Sequence, residues 1–179
     1  MEETGIQECY KASSSVDQLR LVPKKVFFTC GVGSHEDELV SFELALRDAG
    51  IERFNLVLVS SIYPPGCEVV SREDGLKELF PGQIVFCVMA KHSSNKSGEE
   101  IFASIGVAIP SDPDVHGYLT EYHGVCNKVD PGKHAEEMAA YMLKTAFGID
   151  PTTTKSITAK AKVEDGKYTT VVAAAVFVI

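Results

Sequence analysis

Asn55-Leu56-Val57-Leu58-Val59-Ser60-Ser61-Ile62-Tyr63-Pro64-Pro65-Gly66 is an apolar, β-branched run that ends on two adjacent serines and then turns sharply. The apolar part predicts a buried strand over roughly residues 54–62. Pro64 restricts Tyr63 to extended geometry, Pro65 restricts Pro64, and Gly66 permits the reversal. The serine pair is therefore expected at a strand end, on backbone pinned from both sides, where strain can be stored beside a hydroxyl. Ordinary turn chemistry is the plainer account of the same residues.

Upstream, Val26, Phe27, Phe28 and Thr29 make a short strand leading into Gly31-Val32-Gly33. The glycines suggest a dinucleotide loop, but Glu36 stands where the third glycine belongs, and acidic residues repel phosphate. A helix start accounts for them better. Ser34 serves as N-cap, Asp37 follows three residues later, and Glu36 suits the positive helix end. Leu39, Phe42, Ala45, Leu46 and Ala49 then form one apolar face, closed by Gly50, with Glu43 near its edge. Residues 1–22 are polar and aperiodic and read as an arm before a single domain over residues 23–179.

Downstream, residues 67–82 read as a connection, 83–90 as an apolar strand, 91–97 as a mobile polar loop and 101–109 as another strand. Residues 117–123 alternate, so Leu119 and Glu121 share a face. If Leu119 packs inward, Glu121 meets apolar surroundings that raise its pKa, as a general acid requires; a solvated rim carboxylate is the alternative. Asp130 caps a second helix with Pro131 in its first turn, an apolar face of Ala135, Met138, Ala139, Met142, Leu143 and Ala146, and Gly148 at its end. Residues 156–163 and 168–179 read as a hairpin around Glu164-Asp165-Gly166. About seven strands and two long helices, with hairpins outnumbering crossovers, predict an α+β fold of mainly antiparallel sheets with helices on the outer faces.

Composition narrows the function. The chain has 179 residues, 45% hydrophobic and 23% charged, with a formal net charge of −8. That supports one globular domain and offers no basic footprint for nucleic acid or an anionic membrane. No apolar run reaches the length of a membrane span, and the first residues carry no signal-peptide pattern, so a cytoplasmic protein is expected. Cys9, Cys30, Cys67, Cys87 and Cys126 are widely spaced, and His35, His92, His116, His123 and His134 are scattered. No metal site is expected from them, and the cysteines read as buried, reduced thiols.

Several motifs taken together resemble the pyruvoyl-dependent arginine decarboxylase family. They are Ser60-Ser61-Ile62 with Pro64-Pro65, Asp48-Ala49-Gly50-Ile51, Asn55-Leu56, Gly98-Glu99, Ile105-Gly106-Val107-Ala108-Ile109-Pro110, Gly117 with Glu121-Tyr122, Cys126, and Ala173-Ala174-Ala175. They span residues 26–179. The resemblance implies an αββα four-layer sandwich, a homotrimer of αβ protomers that can pair into a dimer of trimers, and conversion of L-arginine to agmatine and carbon dioxide for polyamine synthesis. It also implies a proenzyme that cleaves itself into a β chain, residues 1–60, and an α chain, residues 61–179.

In such a proenzyme the Ser61 hydroxyl attacks the Ser60 carbonyl, giving an ester. Elimination and hydrolysis then leave a pyruvoyl group at position 61 and release ammonia. That group forms a Schiff base with the substrate amine and takes the place of pyridoxal phosphate; no metal is implied. By the family's pattern Glu121 returns the proton to the decarboxylated carbon, Asn55 bonds the pyruvoyl or substrate carboxylate, Ile62 lines the pocket, and Glu43 meets the guanidinium. On this reading exchanging Glu121 for glutamine preserves cleavage and slows turnover. The family usually has aspartate where this chain has Glu43, so a pyruvoyl decarboxylase of another cationic amino acid stays open. A trimeric homologue that binds without cleaving is the further alternative.

Overall fold

The computed structural model describes residues 21–179. The arm expected over residues 1–22 lies outside them apart from its last two residues. Within the described residues the order is β1 (Lys25–His35), α1 (Glu38–Ala49), β2 (Asn55–Leu58), β3 (Ile62–Tyr63), β4 (Glu68–Val69), α2 (Arg72–Lys77), β5 (Ile84–Ser94), β6 (Glu100–Ile109), β7 (Gly117–Val125), α3 (Pro131–Phe147), β8 (Thr153–Lys162) and β9 (Tyr168–Val178). One sheet has five strands ordered β2-β5-β9-β1-β4, the other four ordered β3-β7-β6-β8. Pairing is antiparallel except for β1 with β4 and β2 with β5.

β9 explains the layering. Val171, Ala173, Ala175 and Phe177 enter the core between the sheets. Val172, Ala174, Val176 and Val178 enter the core beneath α1. A strand buried on both faces is expected to be apolar, as this one is from Val171 onward. α3 packs on the outer face of the four-stranded sheet through Ala139 and Leu143. The expected αββα sandwich is therefore the architecture found.

Several local expectations are corrected. The 54–62 segment is not one buried strand. β2 ends at Leu58, and β3 belongs to the other sheet. β2 lies at a sheet edge, with Leu58 65% exposed. Ser34 does not cap α1. It lies in β1, its hydroxyl 3.0 Å from that of Thr169, because the ladder with β9 runs on to His35. Asp37 is the cap, accepting from Val40 N at 3.2 Å. The buried stripe of α1 is Ser41, Ala45 and Ala49, while Leu39 is 75% exposed. Residues 67–82 contain β4 and α2, and β5 runs through most of the expected polar loop to Ser94. β8 and β9 form no hairpin, since β8 pairs with β6 and β9 with β1 and β5. Their turn crosses from one sheet to the other.

The glycine pair of β1 seats a helix. A Cβ on Gly33 would stand 2.3 Å from the Ser41 carbonyl oxygen and 2.4 Å from the Ala45 nitrogen. These are backbone atoms of α1, so only movement of the whole helix relieves the overlap. Gly33→Ala is expected to lower stability by about 1–3 kcal/mol, the usual cost of overpacking, read as a lower denaturant midpoint with an unchanged slope.

Candidate active site

Ser60 and Ser61 form the link between the two sheets. Val59 N still donates to the Cys87 carbonyl of the five-stranded sheet at 3.0 Å. The Ser61 carbonyl already accepts from Leu119 N of the four-stranded sheet at 2.8 Å. Packed sheets lie about 10 Å apart, and this pair of residues spans the gap. Between them, Ile62 N donates to the Ser60 carbonyl oxygen at 2.8 Å, a three-residue turn.

The corner beyond is built as its residues dictate. Cys67 N donates to the Pro64 carbonyl at 3.2 Å, and Gly66 has φ 64°. Proline followed by a positive-φ glycine is the pattern of a type II turn. The Tyr63 hydroxyl donates to the Cys67 carbonyl across the same corner. Burial, with smaller contributions from Cys67 and Glu68, pushes the Tyr63 phenol up to about 12. The tyrosine is therefore a permanent donor near neutral pH.

The Ser61 hydroxyl donates to Glu121 Oε2 at 2.7 Å. Both residues border a cleft of about 530 Å³, walled by Leu119, Met138, Tyr141 and Met142. Glu121 is exposed, the solvated rim position that was the alternative to an apolar seat. β3 pairs only with Tyr118 and Gly117, so among the described residues β7 has no strand neighbour on that edge where Glu121 stands. Leu119 is fully buried, as expected from the alternation.

Asn55, Ile62 and Glu43 do not border this cleft. Asn55 is at the start of the edge strand, where its side-chain nitrogen donates to the Gly82 carbonyl at 2.7 Å and its backbone nitrogen to that of Gln83 at 2.9 Å. Ile62 is 40% exposed. Glu43 lies on α1 and accepts from Arg47 Nη2 through both oxygens, at 2.8 and 2.9 Å.

The apolar wall on α3 was not anticipated. Only Ala135, Ala139 and Leu143 of the expected face, with Pro131 and Gly132 at the helix start, are buried. Met138 and Met142 border the cleft instead, and Tyr141 beside them is 70% exposed. The helix can approach this closely because Gly106 lacks a Cβ, which would meet the Ala135 carbonyl carbon at 2.3 Å. The Thr120 hydroxyl also donates to the Ala135 carbonyl at 2.7 Å. A tyrosine and two methionines at helical spacing were the sequence signal, and periodicity alone assigned the methionines to the core.

Among the described residues no three His, Cys, Asp or Glu side chains converge as a metal-binding set. Four cysteines are free. Cys67 and Cys87 are buried, as expected, and burial pushes their thiols up to about 11 and about 12. Cys30 and Cys126 are only partly buried, a correction to the expected pattern, and Cys9 lies outside the described residues. Within the described residues no helix is long and apolar enough to cross a membrane.

At the joint of the two sheets a serine hydroxyl is thus held by a carboxylate, and comparison with known proteins names the family. The chain belongs to the pyruvoyl-dependent arginine decarboxylase family, whose sequence model matches residues 25–179. It is 70% identical to pyruvoyl-dependent arginine decarboxylase 1 of Archaeoglobus fulgidus over 159 residues, covering 89% of this chain and all of that protein. It is 61% identical to pyruvoyl-dependent arginine decarboxylase 2 of the same organism, covering 90% of this chain and all of that protein. It is 52% identical to pyruvoyl-dependent arginine decarboxylase 1 of Methanosarcina acetivorans, covering 89% and 98%. The protein is accordingly a carboxy-lyase that works through a covalently bound pyruvoyl group.

Proposed function

We propose that the chain is a proenzyme that cleaves itself between Ser60 and Ser61 and then converts L-arginine to agmatine, in line with the arginine decarboxylase activity in the names of its relatives. The observation that carries the reading is the 2.7 Å hydrogen bond from the Ser61 hydroxyl to Glu121. A carboxylate on that hydroxyl is a base for its proton. The Ile62 N–H, 2.8 Å from the Ser60 carbonyl oxygen, is a donor for the negative charge that develops there on attack.

The step balances in bonds and atoms. The Ser61 oxygen bonds to the Ser60 carbonyl carbon, the Ser60–Ser61 C–N bond breaks, and the freed nitrogen takes up the hydroxyl proton. Elimination then removes the Ser61 α-proton to base and breaks the bond from the Ser61 side-chain carbon to the ester oxygen, leaving Ser60 with a free carboxylate. Water hydrolyses the resulting unsaturated residue, releasing ammonia. Residues 1–60 and 61–179 become separate chains.

The pyruvoyl group so formed supplies the electron sink that decarboxylation needs. The residues around it do the rest. Glu121, which bonds Ser61 in the uncut chain, then returns a proton where carbon dioxide has left. Met138, Tyr141 and Met142 offer apolar surface to the methylene stem of the substrate and exclude water. Glu43 and Asn55 lie outside this cleft, so their proposed roles in holding the guanidinium and the reacting end require a second protomer. The exposed end of edge strand β2, Val57 and Leu58, with Val59 just beyond it, is consistent with a trimer that covers it. A cytoplasmic enzyme feeding polyamine synthesis is the setting this activity fits.

The mass of the denatured, purified protein tests the proposal. Two chains are expected, the larger one lighter than its serine-started sequence by the mass of ammonia. A single uncut chain after prolonged incubation would favour the non-cleaving homologue instead.

A further inference from the structure

The carboxylate assigned to the substrate's guanidinium already carries a guanidinium. Arg47 follows Glu43 by one helical turn of α1 and touches both of its oxygens through a single nitrogen, at 2.8 and 2.9 Å. The pair is exposed, with the side chains 63% and 43% accessible. Exposed pairs one turn apart are weak and readily exchanged. The geometry is also less favourable than a fork, in which two nitrogens of one guanidinium face two oxygens. A ligand approaching end-on can present that fork, whereas Arg47, reaching along its own helix, gives one nitrogen.

We propose that Arg47 is a resident competitor for Glu43, which weakens the hold on arginine and on agmatine alike and so sets KM and eases product release. The inference rests on the reading that Glu43 meets the substrate guanidinium. Substrate and product carry the same guanidinium, so a competitor at Glu43 acts on both by the same factor. Without it, the carboxylate would hold the product as firmly as the substrate after the carbon dioxide has gone. The glutamate matters here, because its extra methylene helps it meet a residue one turn along the same helix.

The ordinary role of such a pair, holding the helix and orienting Glu43, predicts the opposite sign. In the fully processed enzyme, Arg47→Ala is expected to lower KM for arginine and the inhibition constant of agmatine together, each by about twofold, the scale of an exposed pair. A rise in either constant, or no change, overturns the proposal. A double-mutant cycle separates competition from the mere loss of a positive charge. In a Glu43→Gln background, Arg47→Ala is expected to change neither constant, and a decrease that persists there overturns competition at the carboxylate. Glu43→Gln alone is expected to raise KM. If it does not, the assignment of Glu43 itself fails, and this inference with it. If Glu43→Gln raises KM but Arg47→Ala changes neither constant while Glu43 is intact, only the inference is overturned.

Discussion

Ser61→Ala is expected to yield one unbroken chain of about the full 19.4 kDa, with no decarboxylase activity at any arginine concentration. The loss should be complete because one residue serves both reactions. The Ser61 oxygen is the nucleophile of cleavage, and the same residue becomes the ketone that captures substrate. The fold should survive, since the hydroxyl's hydrogen bond goes only to a carboxylate that is itself exposed. Denaturing electrophoresis and a carbon dioxide release assay on the same preparation read both effects. Retained decarboxylation in the uncut variant would end the mechanism proposed above.

Glu121→Gln is the second large expectation. Removing a positioned acid typically costs about 10²–10⁴ in rate, and turnover with arginine should fall by that order. The hydrogen bond adds something the sequence reading did not contain. The amide can still accept from Ser61 but cannot take its proton, so cleavage should slow as well rather than proceed untouched. Timing the appearance of the two chains after synthesis checks this, separately from kcat measured on molecules that have finished processing. Unchanged kcat in fully cut Glu121→Gln would remove Glu121 from the proton step.

The features legible in the sequence were those decided by local chemistry. Asp130, Pro131 and Gly148 bound α3 as expected, the cap accepting from Lys133 N at 3.0 Å and the glycine at φ 70°. The Pro64-Pro65-Gly66 corner is likewise a turn that its residues specify. What misled were positions where tertiary pairing decides between two acceptable local states. Ser34 and Asp37 are both good caps, and the ladder of β1 with β9 settled the choice by drawing Ser34 into the strand. β8 and β9 flank a short turn as hairpin strands do, but nearness along the chain does not decide which edge a strand pairs with.

The site divides the same way. A carboxylate on an alternating strand and a serine at a pinned corner were both visible. Their contact was not, because it depends on β3 pairing with Tyr118 and stopping short of Glu121. Glu121's exposure follows from the length of that two-residue strand. The roles of Asn55, Glu43 and Ile62 came from resemblance alone, whereas strand alternation had also marked Glu121 as a candidate acid; the geometry ties only Glu121 directly to Ser61.

The position of β1 gives the proposed cut a thermodynamic meaning. β1 lies between β9 and β4, and both of those strands come after Ser61. The fragment ending at Ser60 would thus supply a central strand to a sheet otherwise built largely by the other fragment. Separating the two would mean dismantling the sheet, so the nicked molecule is held together as firmly as an intact one. Once dismantled, however, it would have to find its partner by diffusion, in a second-order reaction exposed to aggregation. Cleavage after folding would convert a reversible fold into a molecule whose history cannot be rerun, with renaturation yield depending on concentration where that of the uncut serine variant does not.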